Sequence, residues 1–262
     1  MKVITATLML LLLAGCASGP RIDTSYSSVG HDSRSQFIVL HYTSTDLPRS
    51  LELLSGRDVS SHYLIGESPA TIYRLVDENR RAWHAGESEW NGRTWLNATS
   101  IGIELVNRGY VQSADGRRLW YPYSDAQIDA LVVLLKDIMA RHELKPGAII
   151  GHSDIAPQRK VDPGPLFPWK RLADEGLVPW PEAGAVAVEQ MRYASEGLPA
   201  IAWYQDALAA QGYRVPRHGH LDEETRNVIA AFQMKYRPAR FDGEPDAETA
   251  AMLQVLANQA KR

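Results

Sequence analysis

A single cysteine, Cys16, in 262 residues leaves no pair for an internal disulfide. Positive charge is not in excess either. Lys and Arg number 28 against 31 Asp and Glu, a net charge of −3, which argues against a protein that neutralises a nucleic-acid backbone. The apolar run from Leu8 to Leu13 is too short to span a bilayer, and behind the basic start Met1-Lys2 it reads as an export signal. With 45% hydrophobic and 23% charged residues, the composition excludes wholesale disorder, a collagen-like repeat and a long coiled coil. The length accommodates one domain of ordinary size and a smaller companion.

Residues 17 to 35 are rich in Ser, Gly, Asp and Arg without apolar periodicity, as suits a tether. Phe37 to Tyr42 then form a short apolar and β-branched run of the kind buried on both faces of a sheet. Residues 62–66 and 71–76 flank Glu67-Ser68-Pro69-Ala70 and predict a hairpin; residues 101–105 and 148–151 predict further strands. Between these last two, Ile128, Leu131, Val132, Leu135, Ile138 and Met139 recur at helical spacing behind a Ser124/Gln127 capping-box signature. A second helix is expected near residues 167–175. Together they predict an α/β fold, a mixed β-sheet flanked by helices. Residues 181–197 read as a linker. A small three-helix unit follows, with an internal echo of Gly219/Asp222/Glu224/Thr225 in Gly243/Asp246/Glu248/Thr249, where each aspartate can cap a helix.

The most informative stretch runs from His152 to Gly164, where two prolines and a glycine predict a loop leaving the strand at Ile150. His152 follows one strand end, His41 lies at another, and Asp162 returns from the loop; imidazole and carboxylate are ordinary zinc ligands, and three of them leave a fourth position for water. Each also has a plain structural explanation, and spacing alone leaves the ligand set open. Trp90 and Trp95 read either as a loop wall for stacking or as core, and His62 as structural.

Four ordered segments decide between these readings: Val39-Leu40-His41-Tyr42-Thr43, Arg81 to Gly86 with Trp83-His84, Ser100 to Leu105 with Gly102 and Glu104, and Gly151-His152 through Lys160, Asp162, Pro163 and Gly164. They resemble the type 2 family of zinc-dependent N-acetylmuramoyl-L-alanine amidases. The resemblance implies Zn2+ held by His41, His152 and Asp162, and hydrolysis of the amide between muramic acid and L-alanine in peptidoglycan or muropeptides. Glu104, on an otherwise apolar strand, is the expected proton acceptor and donor unless it faces solvent from an edge. Lys160 is expected to stabilise the tetrahedral oxyanion, and His84 to contact substrate.

Leu13-Ala14-Gly15-Cys16 resembles the bacterial lipobox, which implies cleavage after residue 15, lipid on Cys16 and attachment to a membrane. Ser18 resembles the sorting pattern of the Gram-negative outer membrane, so the protein is expected to face the periplasm. Residues 198–262 are similar to a three-helix peptidoglycan-binding module. The expected organisation is a signal peptide (1–15), a lipidated tether (16–35), a catalytic domain (36–180), a linker (181–197) and a wall-binding unit (198–262). Removing the last is expected to spare cleavage of soluble muropeptides. The competing reading is a non-catalytic peptidoglycan-recognition lipoprotein on the same fold.

Overall fold

The computed structural model describes residues 20–261. The signal peptide and Cys16 lie outside the described residues, and residues 20–32 carry neither helix nor strand. From there the chain runs β1 (Phe37–Tyr42), α1 (Leu47–Leu54), β2 (Tyr63–Ile65), β3 (Ile72–Arg74), α2 (Leu96–Thr99) and β4 (Ser100–Leu105). It continues with β5 (Tyr110–Gln112), β6 (Arg118–Trp120), α3 (Asp125–Arg141), β7 (Ile149–Gly151), the single turn α4 (His152–Ile155) and α5 (Trp169–Asp174). Four helices close it: α6 (Ala183–Glu196), α7 (Ile201–Ala210), α8 (Glu223–Tyr236) and α9 (Ala247–Gln259).

The main sheet has the order β3-β2-β4-β1-β7, parallel except for the β2–β3 hairpin. This is the expected mixed sheet. On β1, between β4 and β7, the side chains alternate between two cores, as a strand covered on both faces requires. Ile38 and Leu40 pack with Ile101, Ile103, Leu105 and the α3 residues Ile128, Leu131, Leu135 and Ile138. Phe37 and Val39 belong to a second cluster that runs without a break into Tyr204, Leu208, Val228 and Phe232 of the C-terminal helices.

Ser124 caps α3 by accepting the backbone N–H of Gln127 at 3.2 Å. The reciprocal half of the expected capping box is absent, because the Gln127 side chain turns inward and donates to the carbonyls of Ile65 and Val106 at 3.1 and 3.0 Å. It thereby ties the helix to the ends of β2 and β4.

Two expectations are corrected. Residues 181–197 are not an irregular linker: most of them form α6, capped by Glu182, whose carboxylate accepts from the backbone of Gly184 and Ala185. Val186 and Tyr193 of that helix are buried in the second core. Nor is the stretch after Ile150 wholly a loop. Its prolines begin only at Pro157, which leaves room for α4 before them, and Asp154 closes that turn by accepting the Gly151 N–H at 2.9 Å.

Candidate metal centre

The register of β1 with β4 sets Phe37 beside Ser100, Val39 beside Gly102 and His41 beside Glu104. Directly opposed residues share a face, so Ser100, Gly102 and Glu104 lie on the side of the sheet from which His41 projects. β7 delivers His152 as the first residue of α4. The segment after α4 returns Asp162, whose backbone carbonyl accepts the Ser153 N–H at 2.8 Å and so fixes one ligand-bearing segment to the other.

The three side chains meet. His41 Nδ1 lies 2.9 Å from His152 Nδ1 and 3.2 Å from Asp162 Oδ2, and His152 Nδ1 lies 3.0 Å from the same oxygen. All three are buried. Ligands at about 2.0–2.1 Å on a tetrahedral zinc stand about 3.3 Å apart, so a modest opening of this triangle accommodates the ion.

The hydrogen bonds behind the imidazoles assign their tautomers. His152 Nε2 faces the Ala85 carbonyl at 3.2 Å, and a carbonyl only accepts, so the proton is on Nε2 and Nδ1 presents a lone pair. A longer relay does the same for His41. The Ser100 hydroxyl donates to the Leu96 carbonyl, Ser100 Oγ accepts from His84 Nε2 at 3.3 Å, and His84 Nδ1 is left to accept from His41 Nε2 at 3.1 Å. His41 Nδ1 therefore also presents a lone pair. Two lone pairs and a carboxylate oxygen directed at one another in a buried site call for a cation, and carbonyl-anchored imidazoles are the usual support of a zinc site. The donor set fits zinc.

Titration follows the same geometry. Burial, and then the charge of His152, lower His41 to about 4. Burial, followed by the neighbouring imidazoles, holds His84 well below the ordinary histidine range. Burial alone would raise the Asp162 carboxyl, but the charge and hydrogen bonds of His152 and His41 outweigh it and keep it ionised far below the usual range. Glu104 goes the opposite way. Burial, and secondarily the Asp162 charge, push it up to about 8, and its Oε2 is sealed from solvent without a hydrogen-bond partner.

His41, His84, Glu104, His152, Lys160 and Asp162 all line one cleft of about 360 Å³. The structure thus brings every expected site residue of the described chain into one place. His84 has both ring nitrogens engaged inside the protein, which leaves it only a carbon edge for the substrate contact expected of it. Trp90 is buried against Tyr213, with ring centroids 4.9 Å apart, whereas Trp95 is 75% exposed. His62 spends both ring nitrogens on backbone groups of Arg80 and Gly102.

Sequence reasoning did not find Ser100 or Asp154. A signal for the first was present: Ser100 and Gly102 are small residues at alternate positions of a strand, and a Cβ on Gly102 would sit 2.4 Å from His84 Cγ. The small face of β4 is the space the His84 ring occupies.

The family profile of N-acetylmuramoyl-L-alanine amidases matches residues 31–165, and that of a peptidoglycan binding domain matches residues 198–253. The chain is 45% identical over 260 residues to the N-acetylmuramoyl-L-alanine amidase AmiD of Escherichia coli, covering 94% of each chain. It is 43% identical over 101 residues to the 1,6-anhydro-N-acetylmuramyl-L-alanine amidase AmpD of Enterobacter cloacae, covering 38% of this chain and 49% of that one. The structure of E. coli AmiD in complex with anhydro-N-acetylmuramic acid-L-Ala-D-gamma-Glu-L-Lys superposes with a TM-score of 0.83 at 43% identity, over 92% of this chain and 95% of that one. AmpDh3 of Pseudomonas aeruginosa superposes with a TM-score of 0.85 at 37% identity, over 93% and 100%.

Proposed function

This chain belongs to the N-acetylmuramoyl-L-alanine amidase family and cleaves the amide between N-acetylmuramic acid and L-alanine; from that premise we propose that the reaction depends on zinc held by His41, His152 and Asp162. The observation that carries the reading is the convergence of two imidazole lone pairs and one carboxylate oxygen within hydrogen-bond distance of each other, with both tautomers fixed from behind. Zinc held by these three residues would supply an acidified water, with a pKa of about 7, and a Lewis acid for the scissile carbonyl.

The chain's own residues do the rest. Glu104, beside His41 in the sheet, lines the cleft, and its buried Oε2 has no hydrogen-bond partner. From that position Glu104 takes a proton from the attacking water and returns it to the departing alanine nitrogen. Lys160 carries its ammonium in the same cleft and stabilises the oxyanion of the tetrahedral intermediate. His84 and Ser100 hold the His41 ring in its ligating tautomer.

The lipobox-like tetrad ending at Cys16 supports a second part of the proposal: residues 1–15 are removed, Cys16 carries lipid, and the protein is anchored in the outer membrane facing the periplasm, with residues 16–35 as tether. The peptidoglycan-binding profile over residues 198–253 supports retention of wall polymer by the C-terminal unit.

Mass spectrometry of muropeptides digested with the purified protein, with and without chelator, tests the catalytic reading. Release of the stem peptide with a free L-alanine amine, abolished by chelator and restored by zinc, is expected. Undiminished release in chelator contradicts the zinc requirement, and no release at all favours a recognition protein.

A further inference from the structure

Asp154, 1% exposed, is two residues beyond His152 and takes no part in the chemistry above. Its carboxylate has three partners. Oδ2 accepts from the backbone N–H of Gly151, the residue immediately before His152, at 2.9 Å. The other two come from the C-terminal unit: Lys235 Nζ of α8 donates to Oδ2 at 2.9 Å, and the Tyr213 hydroxyl after α7 donates to Oδ1 at 2.7 Å. Lys235 and Tyr213 are buried as well, at 6% and 4% exposure. The Lys235 ammonium also lies 4.4 Å over the ring of Trp169, and that ring is one of the groups packed against Gly151.

We propose that Lys235 and Tyr213 are positioning residues for the metal centre, which hold Asp154 and through it the turn that presents His152, so that retention of the ion depends on side chains outside the amidase domain. The proposal rests on the zinc reading above. A carboxylate buried at this depth is tolerated only while its charge is paired and its lone pairs are satisfied. Without the lysine, Asp154 is relieved by turning toward water. That motion releases the Gly151 N–H, loosens the first turn of α4, and carries with it the Ser153 N–H that holds the Asp162 carbonyl. Two of the three ligands are then less well placed. Retention of wall polymer gives no reason to send a buried lysine and a buried tyrosine into the support of the neighbouring site.

The test is zinc affinity measured by competition with a chromophoric chelator on the full chain. Lys235→Met keeps the length of the side chain and removes the charge; a weakening of about tenfold or more is expected, in the range seen when outer partners of metal ligands are removed. Tyr213→Phe removes one hydroxyl and nothing else, and a smaller weakening of about threefold is expected, with unchanged circular dichroism. In the Lys235→Met background, Asp154→Asn removes the unpaired charge while keeping an acceptor for Gly151, and restores most of the affinity; a merely architectural lysine predicts no such rescue. If Lys235→Met does not fold, Tyr213→Phe and the double variant decide. Folded variants that bind zinc as tightly as the wild type overturn the proposal alone. A wild-type protein that binds no zinc overturns the metal reading and this proposal together.

Discussion

Glu104 is where a local rule of sequence is broken to a purpose. A strand otherwise built of Ile101, Ile103 and Leu105 carries one carboxylate on its small-residue face, and that carboxylate ends in the cleft with an oxygen that nothing satisfies. Glu104→Gln is expected to retain zinc while turnover falls by about 10²–10⁴-fold, the usual worth of a positioned general base; full turnover in a muropeptide assay would remove the role. The same residue sets a pH signature on the chelated protein. Its carboxyl titrates near 4.5 when free and near 8 when folded, so between those values the folded state holds the extra proton. Its stabilising contribution is therefore complete below pH 4.5 and lost as pH rises toward 8. The melting temperature of Glu104→Gln relative to wild type, both without metal, is expected to climb across that interval, and a constant difference contradicts the shift. His41, His152 and Asp162 were legible because each sits in a distinctive local segment. Ser100 was not, because a serine that holds a histidine that holds a ligand leaves no pattern of its own.

At the scale of elements, periodicity found what periodicity governs. α3 stood out through its apolar stripe and Ser124, and the parallel core strands through their β-branched runs. α6 was hidden for two physical reasons. Its cap is Glu182, outside the usual Ser, Thr, Asp and Asn, and its apolar side chains are divided between buried Val186 and Tyr193 and exposed Val188 and Met191, so no single stripe emerges. α4 was hidden because Pro157 and Pro163 describe the chain after the turn and say nothing against the turn itself. Gln127 shows how a correct local signal can carry the wrong partner: it lies where a capping box puts it, yet it serves two sheet carbonyls. Gln127→Ala removes a donor from both carbonyls, of which Ile65 keeps the Val106 N–H, and is expected to cost about 1–3 kcal/mol. Urea denaturation checks it, with a lowered midpoint predicted and an unchanged one contradicting the tie between α3 and the sheet.

For the molecule as a whole, length and composition pointed to a domain with a detachable companion, and the structure draws the two closer than that. The core on the His41 side of the sheet continues from Phe37, Val39 and Ile150 into Tyr204, Val228 and Phe232, and α8 supplies the counter-charge of Asp154. Linear sequence could not show this, since the contacts join positions some 60 to 80 residues apart, such as Asp154 with Tyr213 and Lys235. Deleting residues 198–262 is accordingly expected to expose an apolar face and remove both side chains that hold Asp154, giving a chain without a cooperative melting transition and without activity on soluble muropeptides. A truncated protein that melts cooperatively and cleaves at the full rate would restore the detachable picture. Beneath all of this lies the claim that two imidazoles and a carboxylate share one ion. X-ray absorption at the zinc edge of the purified protein measures it directly: the account predicts one zinc per chain with a shell of nitrogen and oxygen that includes two imidazoles, lost in His152→Ala. A chain without zinc, or a shell lacking imidazole, contradicts it.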